Sequence, residues 1–101
     1  MGTLLFEYKN VSASERLEAF TAKKLQKVFN RYEFVIRADV FFKTENTSDK
    51  DSGKICGIRL SAPGPRLFSE SSKAYFEEAI DVTVDELLRQ LNRRKDKMKS
   101  Y

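Results

Sequence analysis

The sequence predicts an α+β fold: a two-layer sandwich of order β-α-β-β-β-α, with a four-stranded mixed sheet carrying both helices on one face. Three observations carry this. Apolar residues recur with helical period in two long stretches and alternate with period two between them. A strand, helix, strand opening demands a right-handed crossover joining parallel strands. The strands that follow are joined by a polar loop and a tight turn, so they form an antiparallel meander. With 101 residues the chain is one small domain, residues 1–101.

Thr3 to Lys9 is the first strand, with Leu4, Phe6 and Tyr8 on one face. Ser12 is the expected cap of the first helix, with Glu15 completing a capping box. Leu17, Thr21, Leu25, Val28, Phe29 and Tyr32 form that helix's apolar stripe. Phe34 to Lys43 alternates, placing Phe34, Ile36, Ala38, Val40 and Phe42 inward and Arg37, Asp39, Phe41 and Lys43 outward. Glu45 to Gly53 is a polar loop. Lys54 to Ser61 is the third strand, with Cys56, Ile58 and Leu60 towards the core. Ala62-Pro63-Gly64-Pro65 fits a type II turn, leading into a short fourth strand, Arg66 to Glu70. The last helix starts near Ser72 and buries Phe76, Ile80, Val84, Leu87 and Leu91. At 1.5 Å per residue it runs about 40 Å, whereas strands of this length span about 20 Å. Its last turns are therefore expected to overhang the sheet.

Charge is distributed unevenly. Between Arg89 and Lys99 six cations (Arg89, Arg93, Arg94, Lys95, Lys97 and Lys99) face one acid, Asp96. Arg89, Arg93 and Lys97 share a helix face at i, i+4 and i+8. Lys23, Lys24, Lys27 and Arg31 form a second set, with no acid from Ala19 to Tyr32. The five acids Glu77, Glu78, Asp81, Asp85 and Glu86 precede the Arg89–Lys99 run. Acids early and bases late complement the helix dipole, but that effect is worth about 0.3–1 kcal/mol and fades within a turn. It accounts for two or three cations rather than six. A solvated face normally mixes signs. Both sets read as a surface for a polyanion, most simply nucleic acid.

Other classes are disfavoured. There are no histidines, so the commonest general acid or base is missing, and no ordinary zinc or copper site can form. The single cysteine, Cys56, excludes an internal disulfide and reads as a buried structural thiol. Glu77 and Asp81 at i and i+4 read as dipole-complementing acids before they read as a catalytic pair. No phosphate-cradling glycine loop is present. No catalytic residue, metal ligand, cofactor or small-molecule substrate is expected. No apolar run is long enough to span a membrane and no secretory signal is visible, so the protein reads as cytoplasmic, without a membrane partner.

The stretch "AYFEEAIDVTVDELLRQLNRRKDKMK" resembles the end of the ribosome hibernation promoting factor and ribosome-associated inhibitor family. Ala79-Ile80-Asp81, Leu87-Leu88, Gln90-Leu91 and the lysine-rich "KDKMK" occur in that family's order, and "NVSASERLEAFTAKKLQKVFNRY" is similar to its first helix. Family members often carry a tyrosine shortly before the Ala-Ile-Asp turn; here Glu77 and Glu78 stand there. The resemblance implies binding to the small ribosomal subunit and its rRNA, in the channel that messenger RNA and tRNA occupy, with translation inhibited. Ending at Tyr101, without an acidic tail or a dimerisation domain, the chain resembles the short form. The competing reading is a generic double-stranded-RNA-binding-like domain, or a protein-interaction module using the open sheet face, where Phe41 could stack on a base or dock a partner.

Overall fold

Alternation along four short segments decides the sheet. In the computed structural model, which describes residues 2–99 and side chains to residue 98, β1 (Thr3–Lys9), β2 (Arg37–Thr44), β3 (Lys54–Ser61) and β4 (Leu67–Lys73) pair in chain order. The first pair is parallel and the other two are antiparallel. Register brings the apolar positions into rows on one face. Phe6 lies beside Val40 and Tyr8 beside Phe42. Val40 lies beside Ile58, and Phe42 beside Cys56. The helices α1 (Glu15–Arg31) and α2 (Phe76–Lys99) cover this face.

Ser14, not Ser12, caps α1. Its backbone is extended and its hydroxyl accepts from the Leu17 N–H. Glu15 is thus the first helical residue, too close to the cap to reach back, and no capping box forms. Tyr8 supports the cap from the sheet by donating its hydroxyl hydrogen to Glu18, 2.6 Å away. Burial and that bond push the Tyr8 phenol pKa up.

The second strand begins at Arg37, three residues later than the alternation suggested. Tyr32 leaves the helix and the Val35 N–H donates back to its carbonyl, closing a turn. The turn reverses the phase before the strand starts. Val35 is buried, and Ile36, expected inward, is 65% exposed. At the other end, β4 extends to Lys73 because Ser71 and Ser72 pair with Cys56 and Ile55. The last helix accordingly starts at Phe76 rather than near Ser72. Gly64 adopts φ +91°, as the third position of a type II turn requires.

The core is built where the rows meet. Phe42 is fully buried, with Phe6 stacked at 6.3 Å, Tyr8 tilted at 5.5 Å and Phe76 edge-on at 5.5 Å. Leu25, Ile58, Leu60, Ile80, Leu87 and Leu91 are fully buried in the same core. The buried hydroxyls are paired: Thr21 donates to the Leu17 carbonyl and Thr83 to that of Cys56. Helix α2, at 24 residues, is about 36 Å long. Among the described side chains beyond Leu91 only Arg94 is half-buried, and Asn92, Arg93, Lys95, Asp96, Lys97 and Met98 are exposed. The overhang expected from the sequence is present.

Phe42→Ala empties the junction of three aromatic contacts. It should cost about 3–5 kcal/mol in urea unfolding. A loss below about 1 kcal/mol would show that the core does not close on this ring.

Candidate nucleic-acid interface

The two basic sets meet at one residue. Tyr32 follows the last turn of α1, donating its backbone N–H to the Val28 carbonyl at 2.8 Å. Its hydroxyl donates to Asn92 of α2, and its ring packs edge-on against Phe34. Only 1% of Tyr32 is exposed. The Arg31 guanidinium lies 5.3 Å from the ring centroid and the Lys95 ammonium 5.9 Å from it. One cation from each helix is thus fixed over the same ring.

From this point a groove runs between the helices. Lys24, Lys27 and Arg31 line it with Val84, Asp85 and Leu88 around a space of about 250 Å³. Arg31 is shared with an adjoining hollow of about 380 Å³ that includes Lys95, Phe34 and Met98. Arg93 and Lys97 lie on the other flank of α2, in a hollow with Leu67 and Gln90 beside β4. The cations of α2 therefore divide between two flanks. Lys95 joins α1, and Arg93 and Lys97 face away from it.

Not every predicted cation is available. Arg94 donates Nη1 to the Pro63 carbonyl at 2.6 Å and Nη2 to the Pro65 carbonyl at 2.8 Å. It clamps the Pro-Gly-Pro turn, and its guanidinium packs 3.3 Å from where a side chain on Gly64 would begin. Lys24 pairs with Asp81, whose Oδ1 is otherwise shielded and without a hydrogen-bond partner. Arg89 pairs with Glu86 at 3.4 Å. Lys23, Lys27, Arg93 and Lys97 are exposed, and among the described residues no carboxylate pairs with them. The side chain of Lys99 lies outside the described residues.

The early acids of α2 do more than face the helix dipole. Glu77 bonds Arg16 and Asp81 bonds Lys24. The Arg16 hydrogen bond holds the Glu77 carboxyl below the usual carboxylate range. The first halves of the helices thus cancel charge across their contact, and positive charge persists towards the other end.

The sheet's open face is less polar than the alternation suggested. The Phe41 ring lies over Gly57 and stacks on Phe68, with centroids 6.2 Å apart and planes 18° from parallel. Phe68 escaped the sequence reading. Its signal was Leu67 and Ser69 alternating inward around it, which puts Phe68 outward, opposite Arg59. Cys56 is fully buried and its thiol is pushed up to about 12 by that burial, so it is no nucleophile at neutral pH. Among the described residues no group of three His, Cys, Asp or Glu is placed to hold a metal. No helix among them is long and apolar enough to cross a membrane.

A two-layer α+β domain with a basic groove between its helices is the class that this geometry defines. The chain belongs to the family described as sigma 54 modulation protein / S30EA ribosomal protein, whose model matches residues 4–99. It is 29% identical over 92 residues to the ribosome hibernation promoting factor of Salmonella typhimurium, covering 91% of this chain and 92% of that protein. The solved N-terminal domain of Thermus thermophilus Protein Y superposes with a TM-score of 0.75 at 25% identity, covering 92% of this chain and 98% of that one. A ribosomal subunit interface protein from Coxiella burnetii shares the fold, with a TM-score of 0.79 at 20% identity over 95% of this chain and 99% of that one.

Neighbouring arginines on α2 should behave differently. Arg94→Ala removes two charge-assisted bonds to turn carbonyls and should cost about 1–2 kcal/mol. Arg93→Ala should stay within about 0.5 kcal/mol of the parent, as exposed substitutions do. Urea denaturation of both proteins checks this, and equal losses would contradict the division.

Proposed function

We propose that this protein is a ribosome hibernation factor. It binds the rRNA of the small subunit in the cytoplasm, occupies the channel used by messenger RNA and tRNA, and so inhibits translation. It acts by occupancy, without catalysis, cofactor, membrane or small-molecule substrate. The observation that carries the reading is the convergence of Arg31 and Lys95 over Tyr32, which makes one basic surface out of two helices. Family membership and the name of the Salmonella relative support the ribosome as the polyanion.

The chemistry is phosphate contact. Exposed lysines on helix faces act as mobile point charges, and arginines as forks towards phosphate oxygens. Each phosphate neutralised releases counterions, so affinity falls steeply with salt. Lys27, Arg31 and Lys95 line the groove side, and Lys23, Arg93 and Lys97 extend the contact outward. Lys24 and Arg89 take part after exchanging a carboxylate for a phosphate. Arg94 contributes by holding the turn.

The purified protein should co-sediment with small subunits at moderate salt and lower the output of a cell-free translation system. Failure of either would refute the proposal. Equal competition by any RNA duplex would instead favour a generic duplex binder.

Lys27→Ala and Arg93→Ala should each reduce the slope of log affinity against log salt by up to about 1. An unchanged slope in either protein would remove that residue from the phosphate contacts.

A further inference from the structure

We propose that the open face of the sheet is a second RNA-binding surface, one that takes a single-stranded segment by stacking unpaired bases on Phe41 and Phe68. An antiparallel face left to solvent is ordinarily polar. Here two rings from β2 and β4 stack across the strand between them. Gly57 permits it: a side chain at that position would collide with the Phe41 ring, so only glycine lets the ring lie against the sheet. The product is a pair of near-parallel rings on the open face. Phe68 remains 43% exposed, as does Leu5 on the same face.

Rings alone fit a protein partner equally well, and the surrounding charge decides for RNA. Lys43 lies 5.7 Å from the Phe41 centroid and Arg59 lies 5.7 Å from that of Phe68. Arg37, Arg59 and Arg66 surround a hollow of about 230 Å³ that has Phe41 in its wall. Three acids share the face. Asp39 is held by Arg37 at 2.9 Å, Glu70 stands 3.9 Å from Lys43, and Glu7 lines the hollow. Asp39 lies opposite Arg59 and attracts both Arg59 and Arg66, but among the described residues no carboxylate forms an ion pair with either. Aromatic rings beside guanidinium groups that no carboxylate bonds directly match a strand of nucleotides, which presents bases for stacking and phosphates alternately along its length. A duplex hides its base faces and cannot use the rings. The helices lie on the opposite side of the sheet, so this surface is independent of the proposed groove and does not rest on ribosome binding.

The test uses the whole chain, isotopically labelled, titrated with a short oligouridylate and separately with an RNA duplex. The single strand should shift the amide signals of Phe41, Gly57 and Phe68, and the duplex should leave them in place. Phe68→Ala should weaken oligouridylate binding about tenfold, the lower part of the range for one stacked base, and leave duplex binding within about twofold. Arg59→Gln, which keeps both rings, should also weaken the single strand and lower its salt slope by up to about 1. Oligouridylate shifts confined to α1 and α2 would overturn the proposal, as would unchanged affinity in both variants. A patch that binds a protein in a salt-insensitive, Phe68-dependent way, with oligouridylate affinity intact, would overturn it in favour of protein docking.

Discussion

Two apolar helical stripes must be buried on one face of one sheet, and the rest of the molecule follows from that. A parallel β1–β2 pair obliges α1 to cross back over the sheet, and α2, entering from β4, takes the remaining half of the same face. The helices therefore lie side by side, and their basic ends become neighbours. Tyr32 holds that junction. Fully burying a large side chain is worth about 1.5–3 kcal/mol, and each cation over its ring adds about 0.5–1 kcal/mol. Repulsion between two solvated charges is screened over about 8–10 Å at physiological salt. The packing outweighs the repulsion, and the fold holds Arg31 and Lys95 in one hollow with Glu33, with no ion pair to either cation among the described residues.

The ion pairs between the helices mark where positive charge is cancelled. Exposed pairs such as Arg16 with Glu77 are worth about 0–1 kcal/mol, too little to organise a fold whose core buries Leu25, Phe42, Ile80 and Leu87 completely. Their greater effect is on the field. Where α2 carries Glu77 and Asp81, the cations of α1 are answered; further along, Lys27 and Arg31 have only Asp85 in the shared groove. An anion approaching the helical layer meets positive potential at one end. The order of acids and bases in α2 sets which end that is.

Most of this was legible in the sequence because period and charge are local properties. The four strands, both helices and the stripe from Leu17 to Tyr32 were readable, since burial of one face imposes the pattern directly. The boundaries were less so. Ser12 and Ser14 offer the same chemistry to a helix start, and only packing of Tyr8 against the Ser14–Glu18 turn distinguishes them. Ile36 belonged to the right alternation but preceded the strand, because the turn at Tyr32 had shifted the phase. The candidate site was legible as a list of cations and not as a surface. Nothing in a run of arginines tells Arg93 from Arg94. That difference depends on a turn thirty residues earlier coming within reach of one guanidinium. Phe68 was hidden for the same reason, since its partner ring and the glycine beneath it lie on two other strands.

The two faces of the sheet carry different kinds of positive charge. On the helical side the exposed lysines are long and mobile, suited to phosphates whose positions are set by a folded RNA. On the open side the cations lie over rings that backbone register and Gly57 hold in place. Ordering a lysine costs up to about 2 kcal/mol of side-chain entropy, so contacts made by many mobile cations are individually weak and depend on number. A ring already fixed against the sheet has little left to lose and can hold a base at full stacking strength. The sheet that buries the core on one side thus supplies rigidity to the other. This asymmetry separates the two proposed surfaces: one would depend on the number of mobile cations, the other on a pair of rings already held in place.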